Sequence, residues 1–177
     1  MHLAGIECVI KHIPGHGRAR SDSHETLPRV DASAAELDKD SKPFADLCDA
    51  AMAMTAHVVY DAWDPHHCAS VSPLIIEQQI RDRMGFEGLL MSDDLDMKAL
   101  SCTLADRAAA VLRAGCDIAL NCWGRLDDME AIANRVTPMP AVSLSRLARA
   151  CAHVSVTTDT PALRQRIESL LDHRDAR

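Results

Sequence analysis

The stretch Lys11-His12-Ile13-Pro14-Gly15-His16-Gly17, continued by Asp22-Ser23-His24, places one lysine, three histidines, one aspartate and two turn glycines within fourteen residues. An apolar run over 6–10 leads straight into it. The order predicts a buried strand that ends by delivering polar side chains into a pocket. A second polar cluster, Ser92-Asp93-Asp94, follows another short apolar run at 88–91. The two clusters read as the halves of one catalytic centre.

The rest of the chain places both clusters in an α/β pattern. Ser33 and Glu36 have the Ser-x-x-Glu spacing of a capping box, so a helix starts there, with Pro43 as its limit. Residues 50–58 read as a second buried strand ending near His57, and 61–68 as a loop. Ser72-Pro73 opens a helix whose Ile76, Ile80 and Met84 make one apolar stripe, and Gly85 stops it. Strand 88–91 follows, then an alanine-rich helix over 104–114 closed by Gly115. A fourth strand is expected at 117–120, running into Asn121-Cys122-Trp123-Gly124, with helices around 127–136, 144–154 and 161–172. Apolar strands alternating with helices imply a parallel sheet. Such a sheet gathers its loops on one rim, at the carboxyl ends of the strands, where residues distant in sequence meet. A closed (β/α)8 barrel needs eight strands and typically about 250 residues. Four strands in 177 residues make either an open sheet or half a barrel.

Composition narrows the functions. At 47% hydrophobic residues the chain is a folded one. A net charge of −7 argues against nucleic acid, whose phosphates demand a basic face. No apolar run approaches the roughly 18–20 residues of a membrane span, and no signal peptide is visible. Seven scattered cysteines without a CxxC pair suit reduced thiols in a cytoplasmic protein.

Each chemical reading has a plainer alternative. Asp93 at a strand end serves as a nucleophile or as a helix N-cap; two adjacent acids allow one to cap while the other faces the pocket. Asp22 and His24, two apart, form an oriented imidazole–carboxylate pair for proton transfer, or only a loop hydrogen bond. Lys11 and His12 bind hydroxyls or a carboxylate, or the lysine simply reaches water. His12 and His16 do not make helical zinc spacing, because Pro14 and Gly15 break any helix between them. His66-His67-Cys68 has no matching ligand pair elsewhere. No metal and no cofactor are expected, and no phosphate-binding glycine loop is present.

In this order, KHIPGHG, DSH, MTAHVVY, GFEGLLMSDDLDMKAL and AGCDIALNC resemble the family 3 glycoside hydrolases. Within that family the bacterial β-N-acetylhexosaminidases of the NagZ type are the best match, over nearly the whole chain. The resemblance implies a TIM-type (β/α)8 barrel, here a partial barrel of about four βα units with the N-terminal half absent. Residues 1–177 then form a single partial catalytic domain. It implies Asp93 as nucleophile, His24 as general acid and base, Asp22 as its dyad partner, and Lys11 and His12 as residues that hold the sugar. The implied reaction is two-step release of terminal β-linked N-acetylglucosamine with retained stereochemistry. The implied substrate is N-acetylglucosaminyl-1,6-anhydro-N-acetylmuramic acid, with or without its peptide, in cytoplasmic peptidoglycan recycling. Two departures stand out: the loop Arg18-Ala19-Arg20-Ser21 replaces a more acidic stretch, and Trp123 follows the fourth strand. A catalytically silent remnant and a metal-dependent barrel hydrolase are the rival readings. The oligomeric state is left open.

Overall fold

Apolar runs and the turn residues between them set the elements. The computed structural model describes residues 7–152 and Gln165. In chain order the elements are β1 (Val9–Ile13), β2 (Arg29–Val30), α1 (Ala34–Ala45), β3 (Met52–Thr55), β4 (Val59–Tyr60) and β5 (Asp64–Cys68), followed by a π-helix (Ile75–Arg83), β6 (Leu89–Met91), α2 (Leu104–Ala114), α3 (Leu126–Arg135) and α4 (Ala141–Cys151). β1, β3 and β6 form a parallel sheet in that order, with Ile10 opposite Ala53 and Ala53 opposite Leu90. The fold is therefore α/β, as the alternation predicts. Its core joins Ile13, Ala53 and Leu90 of the sheet to Leu37 of α1, Ile76 and Ile80 of the π-helix, and Val111 of α2. No helix among the described residues is long and apolar enough to cross a membrane.

Several boundaries differ from the sequence reading, each for a local reason. The first strand starts at Val9 and runs through the opening motif, so Lys11 and His12 lie inside it rather than beyond its end. The expected strand over 50–58 is cut at Thr55, where the Ala56 N–H bonds the Ile13 carbonyl at 2.9 Å and the chain leaves the sheet. It resumes as β4, which pairs with β2 in parallel and with β5 in antiparallel fashion. The expected loop over 61–68 thus contains a strand. Asp64 shapes its start: the buried carboxylate accepts from the His66 and His67 N–H groups at 2.9 and 3.1 Å and from the Ser72 hydroxyl at 2.6 Å. Pro43 does not end α1 but lies in its last turn, and the helix closes at Ala45.

The fourth strand, expected at 117–120, is reduced to one parallel bridge between Met91 and Ile118. Side chains take over the ladder there. The Leu90 N–H bonds the Asp117 carboxylate at 2.9 Å, and the Leu120 N–H bonds Ser92 Oγ at 3.0 Å. The caps follow the sequence. Ser33 and Glu36 form the full capping box, and Ser72 Oγ accepts from the Ile75 N–H at 3.1 Å at the head of the π-helix. Gly115, at φ +113°, ends α2 so close to Ile76 that a Cβ would stand 3.0 Å from its Cγ2. The helix expected at 161–172 falls outside the described residues.

Candidate active site

The opening motif reaches the site through a bulge. Along β1 and β3 the pairing passes from Lys11 opposite Met54 to Ile13 opposite Thr55, which leaves His12 as the extra residue. Bulges re-aim side chains, often beside active sites. Here the half-buried His12 points its Nε2 to within 3.6 Å of Asp93 Oδ2. Burial pushes the His12 pKa down, against the pull of Asp93 and with help from Lys11, His16 and His24. Lowered from 6.5, the His12 imidazole is neutral at pH 7. Lys11 is exposed on the same strand. Lys11 and His12, with Gly15, His16, Gly17, Arg18, Asp40 and Phe44, line a cleft of about 620 Å³.

Asp93 leaves the carboxyl end of β6, its carboxylate 13% exposed. The two adjacent acids divide the tasks that the sequence leaves open. Asp94 Oδ1 accepts from the Asp96 N–H at 3.3 Å and the Cys122 N–H at 3.1 Å, so Asp94 is the turn-capping acid. Asp93 accepts the Asp94 N–H at 2.9 Å through Oδ1 and presents Oδ2 to His12.

Asp22 and His24 meet as their spacing predicts. Asp22 Oδ1 accepts from the His24 ring Nδ1 at 2.8 Å and from the His24 backbone N–H at 2.9 Å. The bond commits Nδ1–H to Asp22 and leaves Nε2 as the working nitrogen. The hydrogen bond and charge of Asp22 raise the His24 pKa, and Asp93 and Asp94 raise it further. Asp22 in turn is held below the usual carboxylate range by the His24 backbone and ring hydrogen bonds. The pair is exposed and makes no ion pair with Asp93 among the described residues. It is tied to the Asp93 loop from behind: the Lys98 N–H bonds the His24 carbonyl at 3.3 Å, and the Lys98 ammonium pairs with Glu25 at 2.9 Å.

A further residue stands under the site. His57, noticed in the sequence only as a strand-end histidine, is fully buried. Its Nε2 bonds the Asp94 carbonyl at 3.1 Å and its Nδ1 meets Ser70 Oγ at 2.7 Å, where Thr55 Oγ1 also donates at 2.7 Å. Burial lowers the His57 pKa against the pull of the Asp94 carbonyl and the nearby acids, so the ring is neutral. A carbonyl only accepts, which places the ring proton on Nε2 and leaves Nδ1 an acceptor facing the Ser70 hydroxyl, which also donates to the Ala56 carbonyl at 3.0 Å. His57 thereby fixes the Asp94–Leu95 peptide, one residue beyond Asp93. No spacing rule marks Ser70 or Lys98; their roles appear only through contacts 13 and 73 residues away in sequence.

Among the described residues no group of three or more His, Cys, Asp or Glu side chains stands close enough to hold a metal ion. His67 Nδ1 lies 3.2 Å from Asp64 Oδ2, and burial pushes the Cys68 thiol up to about 11. What the rim offers is a carboxylate beside a neutral imidazole, with an imidazole–carboxylate pair nearby whose imidazole pKa is raised. That set suits attack on a carbon centre with proton donation to a leaving oxygen.

The sequence and the fold have counterparts among known proteins. Residues 1–156 match the glycosyl hydrolase family 3 N-terminal domain. The β-hexosaminidase of Thioalkalivibrio sulfidiphilus is 41% identical over 154 residues, covering 84% of this chain and 44% of that protein. The β-hexosaminidase of Chromobacterium violaceum is 38% identical over 146 residues, covering 80% and 40%. NagZ from Neisseria gonorrhoeae, solved in complex with N-trifluoroacetyl-D-glucosamine, superposes with a TM-score of 0.71 at 35% identity, covering 82% of this chain and 42% of that one. A family 3 β-N-acetylglucosaminidase from Paenibacillus sp. gives 0.76 at 28% identity, covering 89% and 34%. The chain thus spans less than half the length of these relatives. With its motifs in order and the family domain matched over most of its length, this chain belongs to glycosyl hydrolase family 3.

Proposed function

We propose that this chain carries the catalytic residues of a retaining β-N-acetylhexosaminidase and that its sheet is an arc of a (β/α)8 barrel. Lys11 and His12 grip the terminal N-acetylglucosamine. Asp93 attacks its anomeric carbon while protonated His24, held by Asp22, gives its proton to the leaving oxygen. The resulting glycosyl–Asp93 ester is then hydrolysed by a water that His24 deprotonates, which restores the starting protonation of both residues. Using an imidazole as the acid and base departs from the common pair of carboxylates. The observation that carries this reading is the division between Asp93 and Asp94: one acid is spent on the turn, and the other faces His12. The substrate class proposed is N-acetylglucosaminyl-anhydro-N-acetylmuramic acid, with or without peptide, in cytoplasmic cell-wall recycling. No metal or cofactor enters the mechanism.

The test is hydrolysis of a chromogenic β-N-acetylglucosaminide, with and without chelator, by the chain and its Asp93→Ala variant. Turnover that survives chelation and vanishes in Asp93→Ala is the expected result. Turnover of equal size in the variant overturns the nucleophile assignment. Loss on chelation alone favours a metal-dependent hydrolase. The rival reading is a catalytically silent chain that keeps the site. A soluble, folded sample without turnover, and without covalent labelling of Asp93 by an activated fluorosugar, is its signature.

A further inference from the structure

The turn after the 117–120 segment has no part in the proposed chemistry, yet it is fastened to the loop that carries Asp93. The Leu95 N–H bonds the Leu120 carbonyl at 2.9 Å. The Cys122 N–H bonds Asp94 Oδ1 at 3.1 Å, and the Arg125 guanidinium pairs with Asp96 at 3.2 Å. Trp123 lies between these last two pins. Its own N–H bonds Asn121 Oδ1 at 3.3 Å, and Gly124 at φ +61° completes the reversal. The backbone is held, but the indole is not covered. Trp123 is 72% exposed, the most exposed large hydrophobic among the described residues, in a chain with 3% aromatic residues.

Position gives this indole its meaning. Across the sheet the order is β1, β3, β6 and then the segment bridged at Ile118. Lys11 and His12 stand on β1, Asp93 leaves β6, and Trp123 follows the segment beyond β6. In sheet order Asp93 therefore stands between Lys11 and His12 on one side and the turn that carries Trp123 on the other. A flat ring with one N–H donor packs against the C–H face of a pyranose while hydrogen-bonding a hydroxyl.

We propose that Trp123 is an aglycone-side platform, packing against the second sugar ring of the substrate and giving this site a preference for β-linked disaccharides over single sugars. This rests on the functional reading above. Leu126 and Met129, also exposed, follow it in α3, so a protein contact is the rival occupant.

The experiment uses the Asp93→Asn variant of the full chain, so that bound sugar is not turned over. Tryptophan fluorescence is titrated with N-acetylglucosamine and with N,N′-diacetylchitobiose, and sedimentation is run in parallel. The disaccharide is expected to bind about three- to tenfold more tightly. Adding Trp123→Ala is expected to erase that advantage and leave monosaccharide affinity unchanged, measured by calorimetry, while Trp123→Phe retains part of it. Equal affinities for both sugars before the Trp123 change, or equal weakening of both after it, overturn the platform. A change in self-association with sugar affinities intact overturns it in favour of a docking face. Binding of neither sugar refutes the functional reading and the platform together, whereas equal binding refutes the platform alone.

Discussion

At the scale of single residues, the site depends on protonation states set by close neighbours. Asp22 is the largest influence that lifts the His24 pKa above its ordinary 6.5. Replacing Asp22 by Asn removes the charge and lowers that pKa toward the ordinary value. An NMR titration of the His24 imidazole in this chain is expected to show the drop. In an active enzyme, the alkaline limb of kcat/KM moves to lower pH, because the acid in the first step is protonated His24. An unmoved His24 titration in Asp22→Asn refutes the dyad. His57 acts through geometry instead. Its neutral ring donates to the Asp94 carbonyl from a fully buried position. His57→Ala strands that carbonyl and is expected to cost about 1–3 kcal/mol by denaturant unfolding. Gln, which keeps a donor, recovers part of the loss; identical stabilities for the two variants contradict the hydrogen-bond role.

At the scale of elements, the sheet that aims Asp93 has little tolerance where β6 enters it. A Cβ on Gly88 would lie 2.5 Å from the Ala50 carbonyl oxygen and 2.8 Å from that of Ala51. These are backbone atoms of the approach to β3, and they cannot swing aside as a side chain would. Gly88→Ala is therefore expected to cost more than about 2 kcal/mol, read as a lower denaturant midpoint with an unchanged slope. A variant as stable as the parent shows that β3 and β6 can separate locally. The same reasoning explains the shortened fourth strand. Asp117 and Ser92 already satisfy the Leu90 and Leu120 N–H groups, so no regular ladder is needed to hold the 117–120 segment beside β6.

At the scale of the whole molecule, Asp117 joins elements that are far apart in sequence. Its buried carboxylate accepts from the Leu90 N–H at 2.9 Å, Arg81 of the π-helix at 2.9 Å, and Ser143 and Arg146 of α4 at 2.5 and 3.0 Å. Burial works against its ionisation, but these donors prevail and hold its pKa below the ordinary 3.8. A folded pKa below the unfolded one contributes stability that is full above the unfolded value and is lost as pH falls through the folded one. The Asp117 contribution is thus intact at neutral pH and drains away only below about pH 4. Asp117→Asn leaves two half-buried arginines without their anion and is expected to cost roughly 3–5 kcal/mol at pH 7. It is also expected to flatten the acid limb of the stability curve. A loss that stays the same at pH 3 and pH 7 contradicts the ionic origin.

Much of this protein is legible along the chain because its signals are local. Ser33 and Glu36, Ser72, and Gly115 mark helix ends through bonds reaching only a few residues. Asp22 and His24 find each other across one intervening serine. The ordered motifs carried the family resemblance, which the domain match bears out. What only the tertiary structure decided rests on partners distant in sequence. The bulge at His12 exists because β3 lies beside β1 and the pairing skips one residue. Asp94, not Asp93, caps the turn because the Cys122 N–H arrives from 28 residues away. His57 and Lys98 gain their roles from the carbonyls and charges that the parallel sheet brings next to them. A sequence states which polar groups are present; the register of the sheet decides which of them remain unspent and face the same space.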